Sequence, residues 1–223
     1  MPTRRYERQA AARGYRAIAG VDEAGRGSLF GPVFAAAVIL SPERPIRGLN
    51  DSKLLDPERR QVLAGRIRER ALAWAVAAAD AFEIDRINIL QASRLAMKRA
   101  VEALPHPADF LLVDAVQVDV PIPQLGLVHG DSLSPSIAAA SILAKTERDR
   151  CLCAWDALFP GYGLARHKGY FTAEHSAALR ALGPTPLHRF SFEPVRQSCP
   201  WAFWPGYVPV QQPLFARGAG GAR

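Results

Sequence analysis

The chain has 223 residues, 49% of them hydrophobic and 22% charged, which suits a soluble globular protein with one sizeable core and a short appendage. Its 28 Lys and Arg outnumber 21 Asp and Glu for a net charge of +7, a balance that favours a polyanionic partner such as nucleic acid. Cys151, Cys153 and Cys199 are odd in number and lack paired zinc-ligand spacing, so neither a disulfide framework nor a zinc site is indicated and reduced thiols in a cytoplasm are expected. No stretch approaches the ~20 apolar residues of a membrane span, and no membrane association is expected.

Residues 1–13 are polar and rich in Ala and Arg, and read as a loose or helical arm. A strand is predicted over 17–22, then a glycine-rich turn, then a second apolar strand over 33–40; the short connection makes the two antiparallel. Asp56-Pro57-Glu58 supplies an N-cap, a first-turn proline and a first-turn acid for a helix reaching about residue 70. The apolar run 73–81 suits a strand or a buried helix, and the helical patterns on both sides favour the strand. Residues 84–104 read as one long amphipathic helix stopped by Pro105-His106-Pro107. Phe110-Leu111-Leu112-Val113-Asp114 is a short continuous apolar run of the kind buried in a sheet between helices.

Ser134-Pro135 again looks like a cap followed by a first-turn proline. The helix predicted over 137–150 begins with Ala138-Ala139-Ala140-Ser141, small enough to lie close on a sheet. Helical patterning returns over 172–182, and from Gly183 onward prolines, glycines and aromatics replace periodicity. The order is β-β-α-β-α-β-α-α and a tail, with no internal repeat. The division expected is an arm over 1–16, a catalytic domain over 17–197 and an irregular tail over 198–223.

Four acids sit where elements end: Asp22 and Glu23 after the first strand, Asp114 after a later buried strand, and Asp131 before a helix. Acids at the carboxyl ends of neighbouring parallel strands converge on one place, and hard carboxylate oxygens suit divalent cations. Two such ions roughly 4 Å apart can clamp the attacking and leaving oxygens of a phosphodiester. A single strand-end aspartate is more often a cap or turn acid. The adjacent pair Asp22-Glu23, followed by Gly25-Arg26-Gly27, differs because neighbouring carboxylates repel unless a cation or hydrogen-bond donors offset the repulsion.

These residues resemble ribonuclease HII, the type 2 ribonuclease H family, over roughly residues 18–195. The run from Gly20 through Asp22, Glu23, Gly25, Arg26 and Gly27 to Gly31-Pro32-Val33 is similar to the family's opening signature, and Asp51-Ser52-Lys53 to its next. Further ordered matches are Ile87-Asn88-Ile89-Leu90, Gly130-Asp131, the Ser136 to Ile142 run, Ala144-Lys145, Arg148-Asp149, His167-Lys168-Gly169-Tyr170 and His188-Arg189. Departures are Ala115-Val116 where the family often has Gly-Asn, His129 and Leu133 at frequent lysines, and Ser28 at a frequent proline.

The resemblance implies an α/β fold of the ribonuclease-H-like kind, a mixed five-stranded sheet flanked by helices, with a helical C-terminal part and an irregular tail. It implies a metal-dependent endoribonuclease that cuts on the 5′ side of ribonucleotides in RNA/DNA hybrids and of single ribonucleotides embedded in duplex DNA. Asp22, Glu23, Asp114 and Asp131 would hold Mg²⁺ or Mn²⁺. Gly25, Arg26 and Gly27 would contact the 2′-OH, and Tyr170 would pack on the sugar at the ribo-to-deoxyribo step. A monomer in the cytoplasm is expected.

Lys53, Arg26, Lys145 and Lys168 lie in or near these motifs, where they either meet phosphates or form a solvated face. His167 is open between positioning a phosphate or water and simply packing. Trp201, Phe203 and Trp204 are expected to fold back over the domain, the alternative being that they stack on bases. Gln211, Leu214 and Phe215 form a Gln-x-x-Leu-Phe pentapeptide that resembles the peptides by which bacterial repair enzymes dock on the sliding clamp; the alternative is that Leu214 and Phe215 pack on the enzyme's own surface. Another two-metal nuclease of the same fold would share the acids without needing Gly25-Arg26-Gly27 and Tyr170. A silent nucleic-acid binder would have little reason to turn four carboxylates toward phosphates.

Overall fold

A computed structural model describes residues 2–199. The elements run α1 (Arg5–Ala12), β1 (Ile18–Ala24), β2 (Val33–Ile39), α2 (Pro57–Arg70), β3 (Ala73–Ala79), α3 (Ala81–Ile87), α4 (Ile89–Glu102), β4 (Phe110–Asp114) and β5 (Gln124–Leu127). Then follow α5 (Gly130–Leu133), α6 (Pro135–Leu158), α7 (Leu164–His167), α8 (Ala173–Leu182) and α9 (Glu193–Gln197). The five strands form one sheet in the order β3-β2-β1-β4-β5. β2 is antiparallel to β1 and β3, whereas β1, β4 and β5 run parallel. No helix among the described residues is long and apolar enough to cross a membrane.

Strand periodicity sorts the core into two layers. Ala35, Ala37 and Ile39 of β2 and Ala19 and Val21 of β1 pack with Ala92, Ala96 and Met97 of α4. Ala36 and Val38 face the other way, toward Leu63 and Ile67 of α2 and the small-residue start of α6. Gly20 explains how close α6 comes: a Cβ there would lie 2.0 Å from the Ser136 carbonyl carbon. Glu7 of α1 is buried against the same helix start, accepting from Ser134 Oγ and from the Ser136 N–H at 3.1 Å. Ser134 itself caps α6 through Ile137 N–H.

Several sequence expectations need correction. The helix expected over 84–104 is two helices, because Asn88 takes φ 68° and caps α4 by accepting from Gln91 N–H. An amphipathic period that runs through the break hides it. A capping box of Asp80 and Glu83 opens α3 before the expected start. α6 extends over 24 residues, beyond the predicted 137–150. β5 has only four residues behind a proline-rich loop and leaves no periodicity to read. After Gly183 the chain is not wholly irregular: His188, Arg189 and Val195 are buried, and α9 follows.

Candidate active site

β1 and β4 place the first two aspartates side by side. Their parallel register pairs Val21 with Val113, so Asp22 and Asp114 follow as neighbours where both strands run out. Period-2 alternation turns both to the α6 face, since Gly20 faces α6 and Phe110 and Leu112 pack with Ile137. Asp22 is 4% exposed. One of its oxygens accepts from the Glu23 N–H at 2.7 Å, and Ser141, one turn along α6 from the contact with Gly20, bonds the same carboxylate. Asp114 Oδ1 accepts from Gly130 N–H at 2.7 Å, which docks α5 and brings Asp131, the next residue, to the same end of the sheet.

Electrostatics show that the four acids form one group. Burial first, then the charges of Glu23 and Asp114, raise the Asp22 carboxyl well above its ordinary value. Burial also raises Glu23, against the opposing pull of Arg26, whose Nη1 lies 3.2 Å from Glu23 Oε1. Asp131 is raised by burial and by the charges of Asp51 and Asp114. Burial works to lower the Lys53 ammonium, but Asp51, Asp131, Asp22 and Asp114 together outweigh it and raise it. Lys53 therefore stands within electrostatic reach of the acids.

The donor set suits a hard divalent cation: it is all carboxylate oxygen, mutually repelling, and Glu23 Oε2 is buried with no hydrogen-bond partner. Among the described residues, no three His, Cys, Asp or Glu side chains are drawn into ion-holding geometry. Like charges held apart at a strand end are what a cation would have to draw together.

The glycine turn lies beside this group. Gly25 takes φ 95°, and a Cβ on it would fall 2.0 Å from Arg148 Nε, so glycine is required twice over. Gly27 is exposed with open space around it. Ser28 pairs with Tyr170 in an antiparallel bridge, and Leu29 N–H donates to Gly169 O at 2.8 Å, which joins the turn to the Tyr170 segment. Lys145 Nζ lies 5.8 Å from the Tyr170 ring centre while paired with Asp149 at 2.6 Å; burial lowers its pKa. His167 is committed to packing: Nε2 lies 2.7 Å from Tyr162 O, Nδ1 accepts from Gly169 N–H, and its ring stacks on His175. Lys168 Nζ donates to Cys153 Sγ and Ala165 O.

Residues that sequence reasoning assigned no role also converge here. Asp51 lies against Asp131, Ser141 bonds Asp22, and the Ser141 and Ser52 hydroxyl oxygens lie 3.0 Å apart. Arg148 and Arg189 lie buried under the glycine turn. The signal for Asp51, Arg148 and Arg189 was their place in short motifs; Ser141 looked like one more small packing residue. Gln211, Leu214 and Phe215, like Trp201, Phe203 and Trp204, lie outside the described residues.

With β2 antiparallel between its neighbours and acids where β1 and β4 end together, the chain falls among the α/β nucleases of ribonuclease-H-like fold. Its architecture is shared with the ribonuclease H2 of Pyrococcus horikoshii, at a TM-score of 0.69 and 23% identity over 82% of this chain and 97% of that one. It is likewise similar to a ribonuclease HII of Archaeoglobus fulgidus solved in complex with PCNA, at a TM-score of 0.68 and 25% identity over 81% and 96%. The sequence model of the family described as Ribonuclease HII matches residues 19–195. A Ribonuclease HII of Solibacter usitatus is 67% identical over 190 residues, 85% of this chain and 83% of that one. The chain belongs to the ribonuclease HII family and is an endoribonuclease, a hydrolase of phosphodiester bonds.

Proposed function

We propose that the protein is a metal-dependent endoribonuclease that hydrolyses the phosphodiester 5′ of a ribonucleotide, in RNA/DNA hybrids and at single ribonucleotides embedded in duplex DNA, leaving 3′-OH and 5′-phosphate ends. The observation that carries this reading is the Ser28 to Tyr170 bridge, which joins the Tyr170 segment to the turn whose exposed Gly27 backbone follows Glu23 by four residues. A 2′-OH is the feature that separates RNA from DNA at one position, and an open glycine lets backbone N–H groups approach it.

Asp22, Glu23, Asp114 and Asp131 would hold Mg²⁺ or Mn²⁺, which when bound supply Lewis acidity and an activated water for in-line attack. Arg26 restrains Glu23, Ser141 restrains Asp22, and the Gly130 N–H restrains Asp114. Lys53 meets phosphate while offsetting the acids. The duplex is read through its backbone, with little base preference. The Gln211, Leu214 and Phe215 pentapeptide would dock on a bacterial sliding clamp; the PCNA complex of the Archaeoglobus relative supports that kind of partner.

A duplex with one ribonucleotide, an RNA/DNA hybrid and an all-DNA control, each with EDTA, Mg²⁺ or Mn²⁺, test the reading. Nicking on the 5′ side of the ribonucleotide, dependent on metal and absent from the control, is expected. Cleavage of the all-DNA duplex, or cleavage that survives EDTA, would overturn it.

A further inference from the structure

Two arginines, Arg148 of α6 and Arg189 after α8, are fully buried. Arg189 has clear backbone partners: Nε donates to Gly31 O and Nη1 to Arg26 O, both at 2.8 Å, which tie down the glycine turn. Arg148 is less well served. Nη2 donates to Lys168 O at 2.9 Å, while Nε and Nη1 are buried without a partner. Burying a guanidinium on such terms is costly, and an apolar side chain of similar volume would satisfy packing better.

Its contacts show what that cost supports. The stem and Nε run directly beneath Gly25, leaving no room for a Cβ, and the guanidinium carbon lies 5.2 Å from the Tyr170 ring centre, within cation–π range. A third contact, to the Lys168 carbonyl, grips the backbone two residues before Tyr170. One side chain thus touches both the glycine turn and the ring, and a planar guanidinium holds that spacing more rigidly than a lysine.

We propose that Arg148 is a positioning residue for selectivity: it sets the gap between the Gly25 turn and the Tyr170 ring, and so the seat of the ribose at an embedded ribonucleotide. This rests on the function proposed above. Arg148 is wholly buried and would not touch the duplex, whose binding comes from surface contacts to phosphates. Loosening the seat therefore costs rate more than binding, since small misplacement of a reacting group lowers turnover.

The test is a double-mutant cycle of Arg148→Met and Tyr170→Ala, with kcat and KM measured on the single-ribonucleotide duplex and melting temperature measured for every variant. In the wild-type background Arg148→Met should lower kcat by about 10- to 100-fold with KM changed less than about twofold. In the Tyr170→Ala background it should cost less than about twofold more, and its melting temperature should hold or rise as the buried charge is removed. Equal loss in both backgrounds, or loss that tracks a fall in melting temperature, would overturn the inference. If Arg148→Met does not fold, Arg148→Lys goes through the same cycle and decides by the same criterion. Wild-type enzyme that ignores the embedded ribonucleotide takes down the proposed function as well; a cycle that fails with selective wild-type enzyme takes down the role of Arg148 alone.

Discussion

His175 and His188 meet nitrogen to nitrogen, Nε2 of one 3.1 Å from Nε2 of the other, with both rings fully buried. Their neighbours fix a single neutral arrangement. Thr185 N–H donates to His188 Nδ1 at 2.9 Å, so the His188 proton sits on Nε2 and donates to His175. The His175 proton then sits on Nδ1, 3.0 Å from the Tyr170 carbonyl that accepts it. Two buried imidazoles thereby anchor the backbone of the residue proposed to read the sugar.

A second proton on either ring would set N–H against N–H in a buried place. Burial, and then the His175 ring, lower the His188 pKa to about 3, and burial lowers His175 as well. An unfolded histidine titrates near 6.5. Between about pH 6.5 and 3 the unfolded chain binds more protons, so the His188 contribution is complete above about 6.5 and is lost as pH falls toward 3. Asp22, Glu23 and Asp131, raised in the fold, run the opposite way and cancel when two proteins are compared. His188→Gln should be less stable than wild type at pH 7.5, with the gap narrowing by about 1.4 kcal/mol per pH unit below 6.5. Urea unfolding at pH 7.5, 6.0 and 5.0 measures this, and a gap independent of pH would contradict it.

The acids sit together at a cost in stability. Asp22→Asn removes a buried charge repelled by Glu23 and Asp114, so in EDTA it should raise stability by about 1–2 kcal/mol. Asp114→Asn should lower cleavage by orders of magnitude while duplex binding in EDTA holds or tightens. Mg²⁺ or Mn²⁺ should raise the melting temperature of wild type and much less that of either variant. Near-normal cleavage by folded Asp114→Asn would remove the metal assignment.

Gly25 and Gly27, two residues apart, separate a folding role from a binding one. Gly25→Ala meets both a positive φ and the Arg148 side chain, and should cost about 2–4 kcal/mol. Gly27→Ala meets nothing, so its melting temperature should match wild type, while cleavage at an embedded ribonucleotide falls about tenfold or more as the methyl blocks the backbone approach. A fully active Gly27→Ala would place the ribose elsewhere.

The two central strands and the acids at their ends could be read from residues because a buried strand with a terminal aspartate is a local pattern. The register that sets Asp22 beside Asp114 could not, because it is decided by Gly20 admitting α6 and by pairing across ninety residues. The resemblance, rather than periodicity, supplied the fifth strand: β5 is four residues long and partly exposed. His167 illustrates the limit for side chains. Its motif marked it as a site residue, but which way its nitrogens face depends on Tyr162, Gly169 and His175, and these hold it in packing.

Ala115 follows Asp114 with φ 52°, and Val116 N–H donates to Asp114 O at 2.7 Å, closing a three-residue turn around an alanine in the left-handed region. A Cβ is strained there by roughly 1–2 kcal/mol, whereas glycine is not. Ala115→Gly should therefore stabilise by about 1 kcal/mol, less the extra freedom glycine gives the unfolded chain. Chemical denaturation reads the change; a loss of stability would show that the turn is held by more than its backbone.

The C-terminal pentapeptide has an independent test, because the four acids, the glycine turn and Tyr170 all lie within residues 22–170. Docking through a short peptide draws most of its affinity from one or two apolar anchors, here Leu214 and Phe215, with Gln211 adding polar contacts. Deleting 211–223 should leave cleavage of short duplexes and the melting temperature almost unchanged, yet abolish capture by an immobilised bacterial sliding clamp. Leu214→Ala with Phe215→Ala should reproduce the loss of capture in the full-length chain. Clamp binding that survives the deletion would move the docking site elsewhere, and a large fall in melting temperature would mean that these residues pack on the enzyme itself.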